Sequence, residues 1–274
     1  MSQGRTNMTR GKSQPLITIA TVTFNAEPTL GKTLDSVARQ DYPRIEHLII
    51  DGCSTDHTLG LVQRYVEHNT ITSHSHSIRL VLEPDEGLYD AMNKALQLAS
   101  GDYIVFLNSG DCLHSATTVS DVVRASGWEE GDFSNPGIIY GETDIVDLEG
   151  NFLRHRRLKA PEQLSWRSFQ QGMLVCHQSL YVRTDLARTE QYNLKYRFSA
   201  DFDWCIRLMR KMEKRHIRLI NSHLILTDYL SEGLTTRNHR RSLCERMHIM
   251  AHHYGWASTI AHHAWFVLRA VIRK

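Results

Sequence analysis

What this chain lacks narrows it before anything it contains. Its five cysteines, Cys53, Cys112, Cys176, Cys205 and Cys244, are odd in number, widely spaced and without a C-x-x-C pair. That pattern excludes a disulfide framework and a thiolate zinc site, and it points to a reducing compartment. There is no G-x-G-x-x-G fingerprint, no internal repeat and no linker that would separate two independent domains. The opening residues, MSQGRTNMTRGKSQP, are polar and basic and have no apolar core, so residues 1–15 read as a frayed tail and not a secretory signal. Net charge is also nearly missing, at +2, but the balance is uneven. Residues 1–150 hold 10 Lys/Arg against 21 Asp/Glu, and residues 151–274 hold 22 against 9. An acidic front half joined to a basic back half implies two different jobs, the basic one facing something anionic. With 41% hydrophobic residues over 274 positions, the chain has the makings of one large globular domain with or without an appendage.

The front half alternates two periodicities. Leu16 to Phe24, Ile45 to Ile50, Ile78 to Leu82 and Tyr103 to Leu107 are short apolar runs of strand length. Between them, Glu27 to Gln40, a segment opened by Asp56 with Leu59, Val62 and Tyr65, and Leu88 to Ala99 carry helical spacing. Strands without polar alternation, each separated by a helix, predict a mostly parallel α/β sheet covered on both faces. After about residue 112 the pattern loosens. A hairpin is expected around Leu148-Glu149-Gly150, a strand over Met173 to Val182, a helix over Asp201 to Lys214, a strand over His216 to Thr227 and a helix over Arg240 to Tyr254.

Ligands of such sheets bind beyond the carboxyl ends of the strands. Acidic and amide residues gather there: Asn25 and Glu27; Asp51, Ser54 and Asp56; Glu83, Asp85 and Glu86; Asn108 and Asp111. The stretch from Ala26 to Thr33 fits a relaxed phosphate-loop pattern, but Glu27 repels phosphate, Pro28 has no N–H, and Gly31 and Lys32 fall inside the expected helix. A carboxylate-lined cleft meets the same repulsion with any diphosphate, unless Mg²⁺ or Mn²⁺ bridges one or two carboxylates to phosphate oxygens. The residues therefore point to a metal-bridged nucleoside-diphosphate substrate.

Thr21-Val-Thr-Phe-Asn25, Ile49-Ile-Asp-Gly-Cys-Ser-Thr-Asp56 and Gly101 through Asp111, in this order and spacing, resemble the family 2 glycosyltransferases. Glu83-Pro-Asp-Glu-Gly-Leu-Tyr-Asp-Ala-Met-Asn-Lys94 is similar to the exopolysaccharide subgroup that includes the colanic-acid fucosyltransferase type. The likeness resumes at His177-Gln178, Ser199-Ala-Asp201 and the 231–236 loop. It implies a GT-A fold over residues 16–239, with a nucleotide-sugar half (16–112), a smaller mixed acceptor half (113–239) and C-terminal helices (240–274). By position it implies that Thr23, Asn25, Glu27, Asp51, Asp85 and Asn108 line the nucleotide-sugar site. Asp111 would ligate the metal, the earlier acidic positions of that motif being Asn108 and Gly110 here. Asp201 would take the acceptor's proton, with Asp203 as second choice, and His177 suits either contact with acceptor or diphosphate or a place as a satisfied core histidine. The reaction implied is an inverting transfer from a nucleoside-diphosphate-sugar to a growing, undecaprenyl-linked glycan.

Other features are weighed beside that likeness. Ser54-Thr55-Asp56 suits a helix cap, Asn93 and Lys94 suit loop bracing, and His74-Ser-His76 suits a surface loop. Two basic clusters, Arg154 to Lys159 and Arg207 to Arg218, suit acceptor handling. Trp256, Ile260, Ala264, Leu268 and Val271 recur at helical spacing with His262, Arg269 and Arg273 opposite, which suits a helix lying in the interface of an anionic membrane, on its cytoplasmic side. No nucleic-acid motif accompanies the basic half, and no Gly/Lys-rich first loop supports a nucleotidylyltransferase.

Overall fold

The computed structural model describes residues 14–70, 76–231 and 239–272. Most of the expected 1–15 tail, and most of the 231–236 loop, lie outside the described residues. The front half is a run of β1 (Ile17–Thr23), α1 (Glu27–Ala38), β2 (Ile45–Asp51), α2 (Thr58–Asn69), β3 (Ser77–Leu82), α3 (Leu88–Leu98) and β4 (Tyr103–Phe106). Every residue of β1 and β2 is buried, as strands covered on both faces require, and the polar ones among them pair, Thr18 with Glu46 and Thr21 with His47. β3 is the edge strand, with Leu80 and Leu82 exposed. The four strands pair in parallel in the order β3-β2-β1-β4, so all four carboxyl ends open on one side.

The same sheet continues into the back half through β5 (Cys112–Leu113), β6 (Ile138–Val146), β7 (Phe152–His155), β8 (Leu180–Arg183) and β9 (Leu219–Leu230). The order beyond β4 is β8-β6-β9-β5, with β7 paired to the distal part of β6. β8 runs antiparallel to β4 and β6, β9 parallel to β6, and β5 antiparallel to β9. The expected hairpin is β6–β7, turned by Asp147, whose carboxylate accepts the Asn151 N–H at 2.8 Å. The strand expected over Met173 to Val182 is shorter. A 3₁₀ turn at His177–Ser179 precedes β8, because Ser179 N–H closes on Cys176 C=O while Thr227 and Thr143 take the Gln178 carbonyl and the Ser179 hydroxyl.

Helices α4 (Thr118–Ser126), α5 (Thr184–Ala187), α6 (Ala200–Lys214), α7 (His239–Tyr254) and α8 (Trp256–Ile272) complete the chain. One apolar layer joins the sheet to α3 and α6, with Trp204, Phe202 and Tyr140 fully buried; a second joins it to α1 and α4 through Ile19, Val105, Val119 and Leu226. Each such side chain contributes about 1.5–3 kcal/mol by leaving water. α7 fixes the entry to α6: Glu245 accepts the N–H groups of Arg197 and Phe198 at 2.9 and 2.8 Å, and Ser242 bonds Ser199. Gly255, at φ +82°, turns α7 into α8.

Several basic residues serve the fold. Arg156 is buried and donates to the carbonyls of Met173, Leu174 and Leu158. Arg207 pairs with Asp203 and Glu190, Lys211 with Glu190, and Arg210 lies over the Trp166 ring at 4.1 Å. These charges were read as facing an anionic acceptor; the carboxylates and carbonyls of the back half use them instead. His76, expected at the surface, is buried, with its backbone bracketed by the Asn69 amide, and His74 lies outside the described residues.

Candidate active site

The loops after β1 and β2 are knitted together. Asn25 sits at φ +47°, and its Oδ1 accepts the Thr55 N–H at 2.8 Å, while its own N–H donates to Ser54 Oγ at 2.8 Å. Glu27 accepts the His57 N–H, and Asp56 accepts the N–H groups of Glu27 and Thr58. Ser54-Thr55-Asp56 thus serve the turn and the start of α2. Asp51 is fully buried, with both oxygens taken by Ser54, N–H to Oδ1 and O–H to Oδ2, each at 2.7 Å. Those contacts shape the 51–54 turn; any nucleotide contact by Asp51 falls to its remaining lone pairs. Gly52 lies under Asp85, where an added Cβ would come within 2.4 Å of the Asp85 carboxylate. Asp85 in turn accepts the Gly87 N–H at 2.8 Å, and Lys94 braces this loop through the Pro84 carbonyl at 2.5 Å. Asn93 clamps both backbone groups of Tyr192 and is equally structural.

Two polar atoms at the ends of adjacent strands break the rule that buried groups are paired. Thr23 Oγ1, closing β1, and Asn108 Oδ1, following β4, are buried and have no hydrogen-bond partner among the described residues. Groups left in that state cost about 1–3 kcal/mol each unless a ligand or water meets them.

Asp111 follows, at the end of a turn that Asn108 C=O closes with the Asp111 N–H. Gly110 has φ +99°, and a Cβ there would strike Leu230, so the turn requires glycine. The Asp111 carboxylate is 4% exposed; Oδ1 accepts Leu230 N–H at 3.0 Å and Oδ2 accepts the Gln178 amide at 2.9 Å. Burial pushes its carboxyl up to about 7, against these two hydrogen bonds. One lone pair remains on each oxygen, so the residue suits a single-carboxylate ligand for a hard divalent cation completed by phosphate oxygens.

Asp201 lies in the first turn of α6, whose N-cap is Ser199, so it is not the helix cap. Its Oδ1 accepts the Tyr89 hydroxyl at 2.9 Å, and among the described residues nothing hydrogen-bonds its other oxygen. Burial holds the Tyr89 phenol well above its ordinary value, with the Asp201 charge adding to it, so Tyr89 stays a donor. Tyr89 stacks on Tyr192, Tyr192 on Trp204, and the Tyr192 hydroxyl meets His177 Nε2 at 2.5 Å. His177 is therefore a neutral core histidine, held down to about 4 by burial and stacked on Phe106. Of its two expected places, contact with acceptor or diphosphate and the core, the aromatic layer holds it in the second, and its neighbour Gln178 reaches Asp111. Asp203 is buried, its oxygens taken by Arg207 Nε at 2.7 Å and His253 Nε2 at 2.8 Å. Burial would raise its carboxyl, but those partners outweigh it and hold it low. It ties α6 to α7, and the partners that hold its carboxyl low make it a weak proton acceptor.

Tyr89, Tyr192 and Gln178 are the site residues that spacing alone did not single out. Tyr89 and Gln178 both stand inside segments quoted above, but nothing local marks either side chain as reaching its aspartate.

A parallel half whose strand ends open on one side, continued by an antiparallel extension of the same sheet, defines a mixed α/β fold. The glycosyl transferase family 2 model matches residues 18–189, and the chain belongs to that family. It is 33% identical over 196 residues to a PGL/p-HBAD biosynthesis glycosyltransferase of Mycobacterium tuberculosis, covering 70% of this chain and 69% of that one. It is 38% identical over 98 residues to the teichuronic acid biosynthesis glycosyltransferase TuaG of Bacillus subtilis, described as putative, covering 36% and 37%. Among solved structures, S. aureus TarS 1-349 in complex with UDP superimposes with TM-score 0.60 at 18% identity, over 86% of this chain and 64% of that one. The mannosyltransferase PcManGT from Pyrobaculum calidifontis, in complex with GDP-Man and Mn²⁺, does so with TM-score 0.58 at 18% identity, over 93% and 76%. The fold is GT-A.

Proposed function

We propose that this glycosyltransferase moves one sugar from a nucleoside-diphosphate donor to a lipid-linked oligo- or polysaccharide in cell-surface glycan synthesis, with inversion. The observation that supports the reading is Asp201, with an oxygen unengaged and its charge felt at Tyr229 together with that of Asp111, beside the unpartnered Thr23 and Asn108 at the strand ends. Thr23 Oγ1 and Asn108 Oδ1 meet donor hydroxyls, and Asn25, Glu27, Asp51 and Asp85 shape the walls around base and ribose. Asp111 holds Mg²⁺ or Mn²⁺, which when bound supplies charge neutralisation for the departing diphosphate. Asp201 accepts the acceptor hydroxyl's proton as the new C–O bond forms, with Tyr89 fixing the carboxylate's orientation. The relatives' names, PGL/p-HBAD and teichuronic acid biosynthesis, and the nucleotides bound by TarS and PcManGT support the substrate class. The 83–94 segment keeps a GDP-deoxyhexose such as GDP-fucose among the donors to try.

The direct test is thermal unfolding with UDP, GDP and dTDP, each with and without Mn²⁺. One nucleotide at about 100 times its Kd should stabilise the protein by about 2.7 kcal/mol, and only with metal. No metal-dependent stabilisation by any of the three would sink the reading.

We further assign α8 to an anionic membrane surface. Among the described residues, no helix is long and apolar enough to cross a bilayer. Yet α8 turns Trp256, Ile260 and Trp265 outward at 54, 62 and 53% exposure, while its polar Ser258 and Thr259 face the body. Exposed Arg240 and Arg241 accompany it on α7. The Leu268, Arg269, Val271 and Arg273 side chains lie outside the described residues. Replacing Trp256, Ile260 and Trp265 by alanine together should cut cosedimentation with phosphatidylglycerol vesicles by about tenfold or more. Unchanged partitioning would remove the assignment.

A further inference from the structure

On the sheet face opposite α6, four metal-ligating side chains form a row that the glycosyl-transfer site does not use. β5, β9, β6 and β7 are consecutive neighbours, and the register places Cys112 beside Asp228, Asp228 beside Asp144, and Asp144 beside His155. His114, one residue beyond β5, reaches back over Asp228. Leu226, two residues before Asp228, packs with α4, so this face is the α1/α4 side. Asp111 and Asp201 act instead on Tyr229, whose side chain alternates to the other face.

Ligand atoms of His114, Asp144 and Asp228 all lie within 4.8 Å of one another. His114 Nδ1 is 2.7 Å from Asp228 Oδ1, and His155 Nδ1 is 2.7 Å from Asp144 Oδ1. Two like-charged carboxylates therefore face each other on adjacent strands, with Asp144 only 4% exposed, and an imidazole flanks each. Hydrogen bonds from the two imidazoles offset part of that repulsion; a shared cation offsets more of it. His114 also lines a neighbouring cleft of about 300 Å³ with Ser115, Asp121 and His223.

From this juxtaposition we propose a second metal site, for a zinc-class divalent ion, formed by His114, Asp144 and Asp228 with His155 as fourth ligand. The donor set decides the metal class. Mg²⁺ demands oxygen ligands in octahedral array, whereas two imidazoles and two carboxylates suit Zn²⁺ or its neighbours in the first transition row. Tetrahedral zinc at about 2.0–2.1 Å per bond sets ligand atoms about 3.3 Å apart, so the side chains close in by an ångström or so. The site has a mechanical consequence. His114 follows Asp111 by three residues, and Asp228 precedes Leu230, whose N–H holds Asp111, by two. An ion here pins together the two segments that present the donor-side carboxylate.

Isothermal titration of the full chain with ZnCl2, without nucleotide, tests this. One equivalent should bind, Mg²⁺ at equal concentration should not compete, and Tm should rise with zinc. Asp228→Asn, which is isosteric, and His155→Gln, at an exposed position, should each weaken binding by tenfold or more while far-UV circular dichroism stays unchanged. Asp111→Asn should bind zinc as the wild type does. Absence of a zinc equivalent, binding unaltered by Asp228→Asn, or loss of binding in Asp111→Asn would each overturn the site.

Discussion

Asp201→Asn should lower kcat for sugar transfer by about 10²–10⁴-fold while leaving nucleotide affinity within about twofold. That range is what a positioned general base typically contributes, and it corresponds to about 2.7–5.5 kcal/mol of transition-state stabilisation. The substitution is clean in this setting. An asparagine Oδ1 still accepts the Tyr89 hydroxyl, so the aromatic stack of Tyr89, Tyr192 and Trp204 has no reason to move. What disappears is a carboxylate oxygen able to take a proton. Asp203 offers no substitute at the same helix end, because Arg207 and His253 hold its carboxyl low and make it a weak base. Steady-state kinetics with a donor identified by thermal shift would decide the matter. Transfer retained within about tenfold of wild type removes Asp201 from the chemistry and leaves it a positioning role.

Asp111→Asn should erase the metal-dependent part of nucleotide stabilisation completely, yet leave the free protein at least as stable as wild type. The first half follows from charge: an amide is a poor ligand for a hard cation bridging to a diphosphate. The second half follows from burial. Asparagine keeps an acceptor for the Leu230 N–H, and the Gln178 amide can turn to present its oxygen to the new NH2 group. In the native chain, burial lifts the Asp111 carboxyl from the usual carboxylate range to about 7. The folded state therefore holds that proton more tightly than the unfolded chain does. Ionised Asp111 costs stability, and the cost grows as pH rises from about 4 to about 7, then levels. The gain from asparagine should accordingly appear in thermal unfolding at pH 8 and fade at pH 5. A variant markedly less stable than wild type at pH 8 would show that the carboxylate supports the fold in its own right. Surviving Mn²⁺-dependent stabilisation would move the cation elsewhere.

The parallel half was readable because its signals are local. β1 and β2 are buried at every position, and their polar members pair inside the core, Thr18 with Glu46 and Thr21 with His47. The helices between them keep one apolar stripe, and polar residues collect where the strands end. The rule that ligands sit at such ends points to Asn25, Glu27, Asp51, Asp85, Asn108 and Asp111 without any knowledge of packing, and the family likeness adds Thr23. The back half was less legible for the same reason. Met173 to Val182 looks like one strand by composition, but its polar residues 177–179 are taken by Thr143 and Thr227 from strands far away in sequence. His177 has no local mark to distinguish a core histidine from one lining a site. The basic clusters likewise declare a charge and not a partner, and Arg156, Arg207 and Arg210 find theirs inside the protein.

By itself, then, the order of apolar runs and acidic strand ends determined the α/β class, the parallel sheet and the side of it on which a ligand would sit. Tertiary structure alone decided which side chain meets which: Gln178 on Asp111 across 67 residues, Leu230 on Asp111 across 119, Tyr89 on Asp201 across 112. It also decided that α8 turns its apolar face outward and that His114, Asp144, Asp228 and His155 share one row. Periodicity records how a segment divides itself between core and water, a property of a few neighbouring residues. Pairing across a fold depends on chain closure over long separations, where no residue carries a mark of its partner until packing brings the two together.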